Sequence, residues 1–307
     1  MIEELNSGIA ALKKLPKADL HSHILLSAPF QAYQEISDRS LALPPKQFKS
    51  FLDFQSYLAR EILPLFKSQK DVEFILNAAF DQMLSDGVIY TETSFTIGIA
   101  VRIGASWKEL TALLAEVRNR YCAMKICFEF GLYRELAQFE WRKDVEEALG
   151  SGVFGGVDLF GDELASEIDP FLPFFEMAHA MKLKVKFHTG EIGNSARAFS
   201  EIRKVRPHSI QHGITLVENK EALEFLKDEK ISINICPASN LALSLVHSYE
   251  THPIKELLRS GAKVTIGTDD YGIFGKSLSE EYLALFERGI LRADELEQIR
   301  QNGMVIW

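Results

Sequence analysis

Four short stretches, far apart in the chain, hold side chains that could bind a metal ion and move protons. They are His21-Ser22-His23, His188-Thr189-Gly190-Glu191, His212-Gly213 and Thr268-Asp269-Asp270. Together they supply three imidazoles and one carboxylate as ligands, with an acid and a base to spare. That inventory suits a catalytic zinc that keeps one position open for water, so hydrolysis is the leading expectation. A lone His-x-His is a weak signal, because surface or core histidines explain most of them. Here it follows Leu15-Pro16-Lys17-Ala18-Asp19-Leu20, and three further motifs come after it. The combination carries the inference.

Each motif sits where a β-strand should end. Strands are expected near Ala18–His23, Val88–Ser94, Lys125–Leu132, Gly156–Phe160, Lys184–Thr189, Ser209–His212, Ile231–Cys236 and Lys263–Thr268, where β-branched and aromatic residues dominate short runs. Between them lie amphipathic stretches of helical length: Asp71–Leu84, Glu218–Leu226 and, with Pro at a first turn, Pro253–Arg259. Eight βα units predict a (β/α)8 TIM barrel, with a doubly wound sheet as the structural alternative. In a barrel the site lies at the C-terminal strand ends. Period-two geometry puts His21 and His23 on one face, within reach of a single ion. Two more junctions, Gly155 to Glu163 and Cys236 to Asn240, point at the same mouth. The stretch from Ile24 to about Leu65, with Phe30, Phe48, Phe51, Phe54 and Tyr57, is either a satellite hydrophobic cluster or a helical lid inserted after strand one.

In their order along the chain, His21-x-His23, Gly161-Asp162-Glu163, His188-x-Gly190-Glu191, His212-Gly213, Cys236-Pro237-x-Ser239-Asn240 and Thr268-Asp269-Asp270 resemble the adenosine deaminase family of the amidohydrolase superfamily. The resemblance runs from Leu15 to about Phe274. It implies one Zn2+ held by His21, His23, His188 and Asp269, although the same donors accept iron, cobalt or nickel. It implies Glu191 as proton donor to purine N1, and His212 as the residue that orients and helps deprotonate the attacking water, with Asp269 beside it. Asp270 is the implied contact to N7, and Gly161 the backbone donor to N3. The chemistry agrees: attack at C6 needs a proton on the ring nitrogen, and a carboxyl kept neutral in a closed pocket can deliver it.

Each role has a blander alternative. Glu191 could stabilise a helix N-terminus, His212 could be a structural histidine, Asp270 a cap, and Gly161 a turn residue needing positive φ. Asp162 and Glu163 read as framework or surface carboxylates, Cys236 as a buried inert thiol, and His179, His208, His247 and His252 as structural or exposed. The chain also departs from the family. Leu25 stands where an Asp usually contacts the ribose hydroxyl, Ser94 lacks the Arg common nearby, Tyr271 replaces a Pro, and the C-terminal helix is curtailed after Asn302. A site without that acceptor loses discrimination for the hydroxyl, so a bare base, or a nucleoside with an altered 5′ substituent, becomes a candidate beside adenosine.

The 307 residues, 47% hydrophobic and 25% charged, show no linker or repeat and predict one domain over 1–307. A net charge of -9 argues against nucleic-acid binding, which needs a basic stripe. Three cysteines without a CxxC pair give no disulfide framework. The first residues lack a signal-peptide pattern, and no apolar run approaches the roughly 18 residues that cross a bilayer. The expectation is a cytoplasmic, metal-dependent 6-aminopurine deaminase with a small purine substrate, no nucleic-acid or membrane partner, and self-association left open. The rivals are another amidohydrolase reaction, on an amide or phosphoester, and a catalytically silent nucleoside-binding protein.

Overall fold

In the computed structural model, which describes residues 1–138 and 140–304, eight parallel strands follow one another in chain order. They are β1 (Lys17–His23), β2 (Val88–Thr96), β3 (Lys125–Tyr133), β4 (Phe154–Phe160), β5 (Lys184–Thr189), β6 (Ser209–His212), β7 (Ser232–Ile235) and β8 (Lys263–Ile266). The chain returns from β8 to β1 through a bridge between Ser22 and Asp269. There the Asp269 N–H donates to the His21 carbonyl at 2.8 Å, and the His23 N–H donates to the Asp269 carbonyl at 3.1 Å. The (β/α)8 barrel is therefore closed by the backbone of residues that the sequence marks for metal binding.

All eight expected strands are present, and the differences at their ends have local causes. β4 begins at Phe154, two residues ahead of the expected Gly156. A Cβ on Gly155 would lie 2.5 Å from Cys127 Sγ, and one on Gly156 would lie 3.0 Å from the Lys184 carbonyl oxygen. Those glycines let the neighbouring strands approach closely, a recurring reason for glycine inside a strand. β8 stops early because the Thr268 N–H turns from the ladder to Asp19 Oδ1, at 3.3 Å. β7 stops because Pro237 opens the helix Pro237–Ala242 directly after Cys236.

The helices behave similarly. The helix expected at Asp71–Leu84 spans Gln69–Ser85, capped by Ser68, and turns Val72, Ile75, Ala79 and Met83 inward while Phe74 stays exposed. The one expected from Glu218 starts at Lys220, because the Asn219 side chain accepts the Ala222 N–H at 3.0 Å. The apolar core lies between the strands and this outer ring. Inside the barrel, one layer below His188, Lys186 is buried between Glu92 and Glu129, 3.0 Å from the latter.

The insertion after β1 holds helices Phe30–Glu35 and Phe51–Tyr57 and a π turn, Leu58–Ile62. Phe48 packs on Phe54 and Tyr57 with ring centroids 5.4 and 5.7 Å apart. Phe51, Phe54, Gln55 and Leu58 line the cavity at the barrel mouth. The two expectations for this segment describe one body, a hydrophobic cluster that serves as a wall. Among the described residues no helix is long and apolar enough to cross a membrane.

Candidate metal centre and active site

His21 and His23 end β1 with side chains on one face, and His188 reaches the same point from β5. Their ring nitrogens lie within 4.8 Å of one another. Asp269 Oδ1 stands 3.6 Å from His21 Nε2 and 3.3 Å from His23 Nε2. The Nδ1 of His21 meets the Asn234 carbonyl and Cys236 Sγ, each at 3.2 Å. With that nitrogen donating to the carbonyl, Nε2 turns its lone pair to the cluster.

The Nε2 atoms of His21 and His188 are buried without a hydrogen-bond partner, an arrangement that is costly unless a cation takes the lone pairs. Burial pushes His21 down to about 3. Burial opposes charge on His23 as well, but the bond to Asp269 and the nearby Asp270 carry it up to about 9. The cluster is stabilised by one positive centre among its nitrogens, and these donors fit a divalent metal ion.

Beside the cluster, Gly190 takes φ +67° and turns the chain so that Glu191 enters the cavity. Glu191 is buried, and burial, followed by the charge of Asp269, raises its carboxyl well above the ordinary range. Its Oε1 lies 3.4 Å from His212 Nε2. The helix that follows, Ser195–Val205, is capped by Asn194, so Glu191 does not serve as the carboxylate of a helix start. Asp270 is buried at the head of the short helix Tyr271–Phe274 but makes no capping bond, and its Oδ1 has no partner. Gly161 takes φ +92°, as the turn reading requires, and also lines the cavity. His212 and Asp269 carry φ of 63° and 56°. Side chains other than glycine rarely hold that conformation, and strain of this kind gathers at functional sites.

His212 is oriented by two residues, Asn240 and His252, that were not expected to act in this way. The Ile254 N–H donates to His252 Nδ1 at 3.1 Å, so that nitrogen is bare and the His252 proton sits on Nε2. It points at Asn240 Oδ1, 3.1 Å away, which leaves the Asn240 amide to donate to His212 Nδ1, also at 3.1 Å. Neutral His212 therefore carries its proton on Nε2, facing Glu191 and, at 3.8 Å, Asp269 Oδ2.

Other supports surround the cluster, and of these Glu163 was expected as a framework or surface carboxylate and Cys236 as a buried thiol. Ser239 Oγ donates to Asp269 Oδ2 at 2.6 Å, and Asp19 receives the His21 N–H at 3.2 Å. Asp158 Oδ2 stands 3.5 Å from His188 Nε2. Arg134, fully buried, pairs with Glu201 and donates to the His188 carbonyl at 3.3 Å. Glu163 proves to be a buried framework carboxylate that accepts the Ile192 N–H at 2.6 Å. Ser239, Asp158 and Glu163 lie inside the quoted motifs or just before one, which was the available signal. Burial raises the Cys236 thiol well above its ordinary range, in keeping with an inert group.

The cavity holds about 360 Å³, near the lower end of the roughly 300–1,000 Å³ typical of small-molecule sites. His23, His188, Glu191, His212, Asp269, Asp270 and Gly161 all line it, with His21 buried behind them. A (β/α)8 barrel whose mouth gathers imidazoles and carboxylates around a cation-binding point, with a buried acid beside it, has the architecture of an amidohydrolase. The chain belongs to the adenosine deaminase family, whose model, described as Adenosine deaminase, matches residues 16–306. A Treponema pallidum protein named for adenosine/adenine deamination is 30% identical over 291 residues, covering 93% of this chain and 97% of the relative. The aminodeoxyfutalosine deaminase of Streptomyces avermitilis is 28% identical, covering 94% of this chain and 86% of its own. The fold is shared with the crystal structure of adenine deaminase from Arthrobacter aurescens, with a TM-score of 0.84 at 19% identity over 94% of this chain and 92% of that one.

Proposed function

We propose that this protein hydrolyses the exocyclic amino group of a 6-aminopurine, releasing ammonia and leaving the 6-oxo base, and that its metal is zinc. The observation that carries the reading is the convergence, in one cavity at the barrel mouth, of a histidine–carboxylate cluster with the buried acid Glu191. Membership of the family, and relatives named for the deamination of adenosine, adenine and aminodeoxyfutalosine, support it.

His21, His23, His188 and Asp269 would hold a divalent ion, which would supply the Lewis acidity that makes water nucleophilic near neutral pH. The remaining steps belong to the side chains. His212 donates its Nε2–H to the water oxygen and fixes its approach to C6, while Asp269 Oδ2 accepts the proton that the water loses. Glu191 delivers its proton to N1 as the C6–O bond forms, so the ring can take up the electron pair. Asp270 donates to N7 and the Gly161 N–H to N3, holding the purine edge-on. The C6–N bond then breaks as Asp269 passes the first water proton to the amino group, which leaves as ammonia, and the remaining hydroxyl proton passes to Glu191, giving the 6-oxo base and restoring the acid. Of the two tasks expected of His212, this scheme keeps orientation and gives deprotonation to Asp269.

Replacing Glu191 with Gln tests the assignment. Ammonia release from the best 6-aminopurine should fall by about 10²–10⁴ while metal content, measured by elemental analysis, stays at the wild-type level. Unchanged turnover would remove the role given to Glu191.

A further inference from the structure

The acid Glu191 sits in a turn whose backbone is held on both sides from other βα units. Before it, the Gly190 carbonyl accepts the Thr215 N–H at 2.9 Å and the Thr215 hydroxyl at 3.2 Å. After it, Glu163 Oε1 accepts the N–H groups of both Ile192, at 2.6 Å, and Gly193. Asn194 then takes the Arg197 N–H at 2.9 Å and starts the next helix.

Glu163 is buried and belongs to the turn after β4, two residues beyond Gly161. The ladder between β4 and β5 ends at the pair Leu159 and Phe187, and both turns leave the barrel past that point. The Glu163 carboxyl crosses the gap between them. Gly193 permits the crossing, because a Cβ there would lie 2.9 Å from Glu163 Oε1, and a side chain would push the carboxyl off the two N–H groups. On the purine, N1 and N3 belong to one six-membered ring, so the proton donor and the N3 donor must keep one separation. Proton transfer needs heavy atoms about 2.6–3.2 Å apart, and a displacement of about 1 Å can cost about 10²-fold in rate.

Resting on the deaminase reading above, we infer that Glu163 is a positioning residue: it ties the turn that bears the N3 donor to the turn that bears the proton donor, and so sets Glu191 against N1. The reach of its accepting oxygen does this, and two substitutions separate reach from acidity. Glu163→Gln keeps the reach and an accepting oxygen, while Glu163→Asp keeps the carboxyl but withdraws it by one methylene. Purified, metal-loaded proteins are assayed for ammonia release from whichever of adenine, adenosine and 5′-deoxyadenosine the wild type turns over fastest. Glu163→Asp should lower kcat by about 10²-fold, with KM and metal content close to wild type. Glu163→Gln should lose about tenfold at most, the scale of one weakened hydrogen bond. In a Glu191→Gln background Glu163→Asp should cost nothing more, since the group it positions is already gone. Amide hydrogen exchange gives a readout apart from turnover: Ile192 and Gly193 should be protected in the wild type and exchange faster in Glu163→Asp than in Glu163→Gln.

A Gln variant as slow as the Asp one overturns the inference, as does a further loss in the Glu191→Gln background. Loss of metal from Glu163→Asp, or unprotected Ile192 and Gly193 amides in the wild type, overturns it too, the first because it marks a residue that only holds the barrel together. Failure of the underlying reading looks different: the wild type releases no ammonia from any of the three compounds, or Glu191→Gln turns over at the wild-type rate, while the exchange of Ile192 and Gly193 still reports on Glu163.

Discussion

Replacing Asn240 with Asp reverses one hydrogen bond and almost nothing else, so its effect on turnover reports which nitrogen of His212 carries the proton. In the native relay the backbone of Ile254 fixes His252, His252 fixes the Asn240 amide, and that amide donates to His212 Nδ1, each over 3.1 Å. A carboxylate at 240 can still accept from His252, but its second oxygen then faces Nδ1, and two acceptors cannot share that gap. Neutral His212 must move its proton to Nδ1. Its Nε2 lone pair would then face Glu191 Oε1 at 3.4 Å and Asp269 Oδ2 at 3.8 Å, and the donor to the attacking oxygen is lost.

Loss of one such preorganised donor costs about 10²–10³ in kcat, or about 2.7–4 kcal/mol. Asn240→Asp should show a fall of that size in ammonia release, with KM little changed. Asn240→Ala, although a larger change of shape, should fall less, because His212 can then choose either tautomer. Residual activity of the Asp variant should rise relative to wild type as the pH is lowered, since an imidazolium bears both N–H groups. Histidine ring ¹⁵N shifts of the metal-free proteins give a readout independent of turnover. The Asp variant turning over as fast as wild type, or faster, would refute the relay, since that is the behaviour of a histidine whose bare Nε2 acts as the base.

Two further outcomes follow from buried charge. Breaking the Arg134–Glu201 pair with Arg134→Met should cost about 3–5 kcal/mol; with about 2.1 cal/mol/K of unfolding entropy for each of the 307 residues, calorimetry should find Tm lower by about 5–8 °C. Adding Glu201→Leu should recover most of that loss, and a further additive drop would show that the two do not act as a unit. Glu281, which accepts the Ala238 N–H at 2.7 Å and the Tyr249 hydroxyl at 2.8 Å, is pushed by burial from 4.5 up to about 7. Between those values the folded state binds more protons than the unfolded one, so this group makes stability fall as pH rises, by about 3 kcal/mol in all at about 1.4 kcal/mol per pH unit. Glu281→Gln should flatten that part of the profile in denaturant titrations from about pH 4.5 to about pH 7.5, and parallel profiles for the two proteins would exclude the assignment.

The barrel was legible because most strands buried on both faces carry short runs rich in β-branched and aromatic residues, as in Val88–Ser94 and Lys263–Thr268, repeated between helical stretches. The ligand cluster was legible for a related reason. A strand alternates its side chains, so His-x-His at a strand end places both rings together, as the nitrogens of His21 and His23 are placed. What escaped the sequence is partnership across the chain. Arg134 and Glu201 are 67 residues apart, and Asn240 serves His212 from a different βα unit. His252 read as structural or exposed because it stands in no motif, and its reach to Asn240 exists once helix Pro237–Ala242 and the turn before Pro253 have packed together.

Backbone strain marks the same division between local and tertiary information. The left-handed conformation costs most residues other than glycine about 1–2 kcal/mol, although Asn, Asp and His enter it more readily than the rest. At positions 212 and 269 the chain places His and Asp in it. The folded barrel must hold both residues in that conformation, and it does so through contacts that bear on the site. The backbone of Asp269 is clamped on both sides by His21 and His23, and the ring of His212 is held from Nδ1 by Asn240. A substitution that relaxed either backbone, such as Asp269→Gly, would remove strain and function together, so the two strained positions persist because their side chains are needed where the strain puts them.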